Sequence, residues 1–171
     1  MILTGNKIKK EVKKGNIIIG DFDIENISTN SYDICLGNKI IKYTDDILDP
    51  KKENKYEEII IPEDGLVLEK GSFRLGSSNE IIGSTKYVPI IHARSGIARL
   101  GLFVHVTADL IDIGSIGKIT FQLHATVPIK IYPGLKIAQV SFWKPKGKII
   151  LYEGKYQGSD GPVTSKTYLD Y

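Results

Sequence analysis

Residues 94–112 read RSGIARLGLFVHVTADLID, a polar turn that runs into an apolar strand and ends at a carboxylate. Leu102 to Thr107 is the strand, rich in β-branched and aromatic residues. Ahead of it, Arg94 and Arg99 supply forked, permanently charged donors suited to phosphate oxygens. Ser95 adds a hydroxyl, and Gly96 lets a backbone approach a ligand closely. Asp112 follows far enough along to face the same ligand from a neighbouring strand. On residue chemistry alone the arginines also read as a surface pair meeting carboxylates, and Asp112 as a turn residue before Gly114.

Working outward, the same short β-rich runs recur on both sides. They are Ile17 to Ile19, Lys39 to Tyr43, Glu58 to Ile61, Gly65 to Leu68, Val88 to His92, Lys118 to Leu123, Ile129 to Tyr132, Ala138 to Phe142 and Lys148 to Tyr152. Gly, Pro, Asn and Asp punctuate them. Thr4 to Lys14 predicts a short helix, with Thr4 as N-cap, Ile8 and Val12 on one face and Gly15 as its stop. Its lysines Lys9, Lys10, Lys13 and Lys14 read as a solvated face. Asp45 to Tyr56 is a polar surface loop. About ten short strands with so little helix predict an all-β fold, a closed barrel or jelly roll. No linker or repeat divides residues 1–171, which read as one domain. The Gly- and Ser-rich stretch 153–171 would by itself be a mobile tail.

The chain has 171 residues, enough for a sound core. A net charge of +3 gives no argument for a nucleic-acid binder. One cysteine, Cys35, excludes an intrachain disulfide framework. No apolar run is long enough for a membrane span, and the start lacks the apolar centre of a signal peptide, so the cytoplasm is the expected compartment. One cysteine and three histidines also exclude the His/Cys/Cys zinc site of cytidine-type deaminases.

Taken in order, several segments resemble the dCTP deaminase and dUTPase superfamily. They are the opening MILTGNKIKKEVKKGNIII, then NSYDICLGN, RSGIARLG, HVTA, LID, GKITFQL, YPGLKIAQVSF and the tail YEGKYQGSDGPVTSK. The deaminase signature is Arg-Ser-Ser-x-Ala-Arg-Leu-Gly, and Gly96 makes this version more like the trimeric dUTPases. The resemblance implies a distorted jelly roll or barrel of the dUTPase-like type, assembled as a homotrimer with sites at subunit contacts. It implies that Arg94, Ser95, Gly96, Arg99 and Lys155 hold a deoxyribonucleoside triphosphate, with Mg²⁺ carried by the triphosphate rather than by protein ligands. Ser95 then positions phosphate and water instead of acting as a nucleophile. Val106, Thr107, Ala108, Asp112, Thr120, Phe121, Gln122, Tyr152 and Ser159 take the base and sugar. His105 is a packed strand histidine on the opposite side from Val104 and Val106. Asp112 activates the water that attacks the α-phosphate. Residues 153–171, with Tyr156, close as a lid.

Two positions depart from the family. The deaminase motif Gly-x-Ile-x-x-Glu carries the proton shuttle in its glutamate, and here it ends at Gln122. A carboxamide keeps the shape but exchanges no proton at neutral pH. Ser159 stands where the family has a glutamine near the base edge. Asp112 and Gln122 as the catalytic positions therefore predict a dUTP diphosphatase on a deaminase-like scaffold. The alternatives are a dCTP deaminase, including a bifunctional dUMP-forming one, and a nucleotide-binding regulatory protein without turnover.

Overall fold

Short apolar runs bounded by turn residues pair into antiparallel ladders throughout the chain. A computed structural model describes residues 1–105 and 107–171. The elements are α1 (Gly5–Lys13), β1 (Ile17–Ile19), β2 (Tyr32–Tyr43), β3 (Tyr56–Ile60), β4 (Leu66–Leu68), β5 (Phe73–Ser84), β6 (Val88–Ala93), α2 (Ser95–Ala98), β7 (Leu102–Val104), β8 (Ile116–Ala125), β9 (Ile129–Ile131) and β10 (Lys136–Trp143). The main sheet has eight strands in the order β6-β10-β2-β5-β8-β7, with β1 added to β5 and β3 to β2. It curls into a nearly closed barrel, and β4 and β9 form a separate pair. The all-β architecture expected from the sequence is the one observed.

Curvature comes from irregular register in the two longest strands. The pairing of β2 with β5 shifts between Leu36 and Ile40, and that of β5 with β8 between Ser77 and Ile81. Such bulges bend a strand and leave backbone groups without ladder partners. Ser78, fully buried, answers that need: its hydroxyl accepts from the Ile119 amide at 2.8 Å and donates to the Glu80 carbonyl at 2.7 Å. The Glu80 carboxylate accepts the Cys35 amide at 3.0 Å. Burial raises the pKa of Glu80 and pushes the Cys35 thiol up to about 11, so that cysteine is unreactive.

Strand β5 is the central element that the sequence reading left out. Its residues FRLGSSNEIIGS place Gly, Ser and Asn where alternation would show. The run Lys148 to Tyr152, expected as a strand, pairs with nothing in the sheet, and Ile150 is 84% exposed. Leu102 to Thr107 is a strand only as far as Val104.

In α1, Thr4 makes no side-chain cap, and Gly15 ends the helix at φ +72°. Ile8 is buried, and so is Glu11. Lys7 at 2.9 Å and Asn16 at 2.6 Å hold the Glu11 carboxyl down to about 2. Lys10, Lys13 and Lys14 are solvated as expected.

Tyr32, Phe121 and Phe142 are fully buried at the centre of the core. Truncating Phe142 to alanine removes apolar contacts and leaves a cavity. The expected loss is about 3–5 kcal/mol, read as a lower urea midpoint with an unchanged slope. A loss under about 1 kcal/mol would show that the core collapses around the gap.

Candidate active site

Strand alternation gives β8 two faces. Phe121, Leu123 and Ala125 are buried on one, while Lys118, Thr120, Gln122 and His124 stand on the other. That second face floors a cleft of about 840 Å³. Phe73 and Leu75 of β5 and Phe103 of β7 extend the floor. The loop after β7 supplies one wall through Thr107, Ala108 and Asp112, and the C-terminal tail supplies the other through Tyr152, Tyr156 and Ser159. Phe121, expected at the base, turns its side chain into the core, so only its main chain is available there.

Val106 lies outside the described residues. His105 departs from simple alternation. It has φ +57°, a left-handed conformation uncommon for a side chain with a Cβ, and this ends β7. Val104 and His105 are therefore both buried. The His105 ring meets Phe121 edge-on at 5.9 Å, and its Nδ1 has no partner among the described residues. Burial lowers its pKa from 6.5 to about 4, against an opposing pull from Asp109. The unfolded chain takes a proton as pH falls through 6.5, whereas the folded chain waits until about 4. Stability present above the upper value is thus lost through that window, by roughly 3 kcal/mol at most. His105→Phe should flatten the dependence of Tm on pH between 7 and 4.5. An equally steep profile in the variant would assign the acid sensitivity to other groups.

Asp112 sits on a pinned loop. The Ile91 amide donates to Asp109 O at 2.9 Å, and the Ile111 amide to Pro89 O at 3.0 Å. The Ser115 amide returns to Asp112 O at 3.1 Å around Gly114, which has φ +97°. A Cβ on Gly114 would lie 2.7 Å from the Tyr152 amide nitrogen. Glycine therefore serves both the turn and the close approach of the tail.

The tail docks along the cleft through backbone bonds. The Tyr152 amide donates to Ile113 O at 2.8 Å, Gly158 to Ile116 O at 3.0 Å and Lys118 to Ser159 O at 2.7 Å. The Val163 amide donates to the Thr120 hydroxyl at 3.0 Å, and the Gln157 side chain bridges the Ile116 amide and Gly114 O. Lys118 meets Asp160 at 2.9 Å. Lys155, expected on phosphate, is paired instead with Asp170 at 2.6 Å and is not among the residues that line the cleft.

The arginine motif lies elsewhere in the chain. Arg94 precedes α2, Ser95 and Gly96 open it and Arg99 follows it, and none of them lines the cleft. Arg94 approaches Asp33 at 3.4 Å. A side chain at Gly96 would meet open space, so that glycine answers no steric need within the subunit. One chain thus brings together Thr107, Ala108, Asp112, Thr120, Gln122, Tyr152 and Ser159, but not Arg94, Ser95, Gly96, Arg99 or Lys155. The sequence reading missed Lys118, His124, Phe73, Leu75, Phe103 and Tyr43 as cleft residues. Alternation along β8 was the signal for the first two. Among the described residues no group of three or more His, Cys, Asp or Glu side chains is placed to hold a metal ion.

The family model described as dCTP deaminase-like matches residues 2–145. A Clostridium beijerinckii protein named "dCTP deaminase, dUMP-forming" is 45% identical over 172 residues, covering 100% of this chain and 99% of the relative. Proteins of the same name from Clostridium botulinum strain Alaska E43 and from Cytophaga hutchinsonii are 44% and 41% identical, again over 100% of this chain and 99% of each relative. The crystal structure of 2'-deoxycytidine 5'-triphosphate deaminase from Agrobacterium tumefaciens superposes with a TM-score of 0.63 at 21% identity, covering 82% of this chain and 47% of that one. That likeness shows the shared fold. The plain dUTP diphosphatase expected from Gln122 is overturned by the relatives, which match end to end and are named as dUMP-forming deaminases. The chain belongs to the dCTP deaminase-like family.

Proposed function

We propose that this chain deaminates dCTP and carries the uracil nucleotide on to dUMP within one site. The overall change is dCTP plus two waters giving dUMP, pyrophosphate and ammonia. The observation that carries the reading is the end-to-end identity of 45% and 44% with proteins named for that conversion. The cleft supports it, since it holds a carboxylate on one wall and a polar stripe on its floor.

In this reading Asp112 takes the proton of the water that attacks the α-phosphate. Gln122 and the main chain around Thr107 and Ala108 read the base edge, with Tyr152 and Ser159 closing over the sugar. The triphosphate needs more cationic groups than one subunit brings to its own cleft. Arg94, Ser95 and Arg99 therefore reach the cleft of a neighbouring copy in a homotrimer. Lys155 joins them by exchanging Asp170 for a phosphate. Mg²⁺ enters with the triphosphate and neutralises part of its charge. Among the described residues no helix is long and apolar enough to cross a membrane; a cytoplasmic location is part of this reading, because a free deoxyribonucleoside triphosphate is its substrate.

The test is to incubate the protein with dCTP and with dUTP separately, with Mg²⁺, and to resolve ammonia, dUTP, dUMP and pyrophosphate. Ammonia and dUMP in equal amounts from dCTP, with little free dUTP, are expected. Tight dCTP binding with no ammonia would overturn the reading in favour of a regulatory binder.

A further inference from the structure

We infer that His124 carries protons between water and the base during deamination. The inference rests on the deaminase reading of this cleft and deepens it.

Replacing the C4 amino group of cytosine by oxygen needs a group that accepts and returns protons at the base. Gln122 has none to exchange. His124 lies two residues further along the same face of β8 and lines the same cleft. That spacing is about 7 Å, which one water or the edge of a pyrimidine spans.

The cleft has a direction that puts the base at this end. Lys118, paired with Asp160 at 2.9 Å, makes one end polar and charged. At the other end His124 is flanked in register by Phe73 of β5 and Phe103 of β7. Lys118 to His124 spans roughly 20 Å of strand, enough for an extended nucleoside triphosphate. The aromatic end suits the flat base, and the polar end suits the sugar and the phosphates.

The neighbours also single out this imidazole. The strands on either side present Phe73 and Phe103, neither of which titrates. The Phe103 ring lies nearly parallel to the imidazole, at 8° and 6.2 Å, and fixes its plane. The titratable groups that share the cleft are His105, Asp112, Lys118, Tyr43, Tyr152 and Tyr156. His105 is buried against Phe121, Lys118 is held by Asp160, and Asp112 stands on the loop wall at the sugar end. An imidazole is the side chain suited to both accepting and donating near neutral pH.

The steps balance. Water oxygen bonds to C4 and gives one proton to the His124 ring, while the C4–N3 π pair moves to N3. The imidazolium returns that proton to N3. The new C4 hydroxyl then gives its proton through His124 to the amino nitrogen. The C4–N bond breaks with its pair on nitrogen, ammonia leaves and C4=O forms. His124 ends neutral.

The experiment compares ammonia release from dCTP with pyrophosphate release from dUTP in wild type, His124→Asn and His124→Phe. The ratio of the two rates should fall at least about 10²-fold in both variants, in kcat more than in KM. The pH profile of wild-type deamination should contain an ionisation that is lost in His124→Asn. Adding Gln122→Glu to His124→Phe should restore ammonia release, because a carboxylate again exchanges protons beside the base. An unchanged ratio in both variants would overturn the role of His124 while leaving the deaminase reading intact. Equal loss of both activities, without rescue, would assign His124 to packing and also overturn it. A wild type that splits dUTP but releases no ammonia from dCTP would remove the deaminase reading, and this inference with it.

Discussion

Mixing Arg99→Ala protein with Asp112→Asn protein should restore activity that neither variant shows alone. Each variant is expected to lose at least about 10²-fold in dUMP formation. In the reading proposed above, one lacks a charge-assisted phosphate contact and the other lacks the base. The two lesions fall in different places. Asp112 lines the cleft of its own subunit, whereas Arg99 follows α2 and does not reach that cleft. In the homotrimer proposed above, one copy supplies the cleft and the next supplies the arginines. After unfolding and refolding together in equal amounts, about a quarter of the sites pair an intact cleft with an intact arginine, in a closed symmetric ring. About a quarter of wild-type activity is therefore the expected yield. The surface offers a reason for such packing. Leu110 at the rim of the cleft and Leu100 beside Arg99 are 64% and 60% exposed. Apolar area of this kind marks an interaction surface. A mixture no more active than its components, with mixed trimers verified by mass, would place Arg99 in its own subunit's site or in the fold.

The β class and most strand positions were legible because burial on one face of a sheet imposes a period of two. Strand β8 shows this directly, with Phe121, Leu123 and Ala125 inward and Gln122 and His124 outward. Strand β5 was not legible. At its bulge the buried residues are Ser77, Ser78 and Glu80, chosen to satisfy backbone groups rather than to fill apolar space. Lys148 to Tyr152 misled for the opposite reason, since it has strand-like residues but no partner edge. The site was legible as a set of motifs and not as a geometry. Adjacency in sequence suggested that Arg94, Arg99 and Asp112 hold one ligand, yet one subunit keeps the arginines and the carboxylate apart. The activity turned on Gln122. The chemistry of a lone carboxamide argues against deamination, whereas end-to-end similarity to proteins named as dUMP-forming deaminases supports it. Gln122 speaks for one position only, and alternation along β8 carries His124 into the same cleft.

Removing residues 153–171 should abolish dUMP formation while leaving the barrel folded. The buried core cluster ends at Phe142, so the deletion takes nothing from it. The urea midpoint should stay close to that of the full chain. The cleft, in contrast, loses the wall formed by Tyr156, Ser159, Val163, Thr164 and Ser165. Water then enters freely, and the nucleotide is no longer held in one pose. A fall in kcat/KM of about 10²-fold or more follows from lost positioning alone. The docking forces predict which smaller lesions matter. The Lys118–Asp160 pair has its carboxylate 87% exposed, so water screens it and it contributes little. Asp160→Asn should therefore change activity only slightly. The backbone contacts depend instead on Gly114, where any Cβ would collide with the Tyr152 amide. Gly114→Ala should accordingly act like a partial deletion, lowering kcat/KM far more than it lowers stability. A truncated protein with full activity would show that the tail is a passenger on the cleft, and an unfolded one would show that the core does not end where the burial says it does.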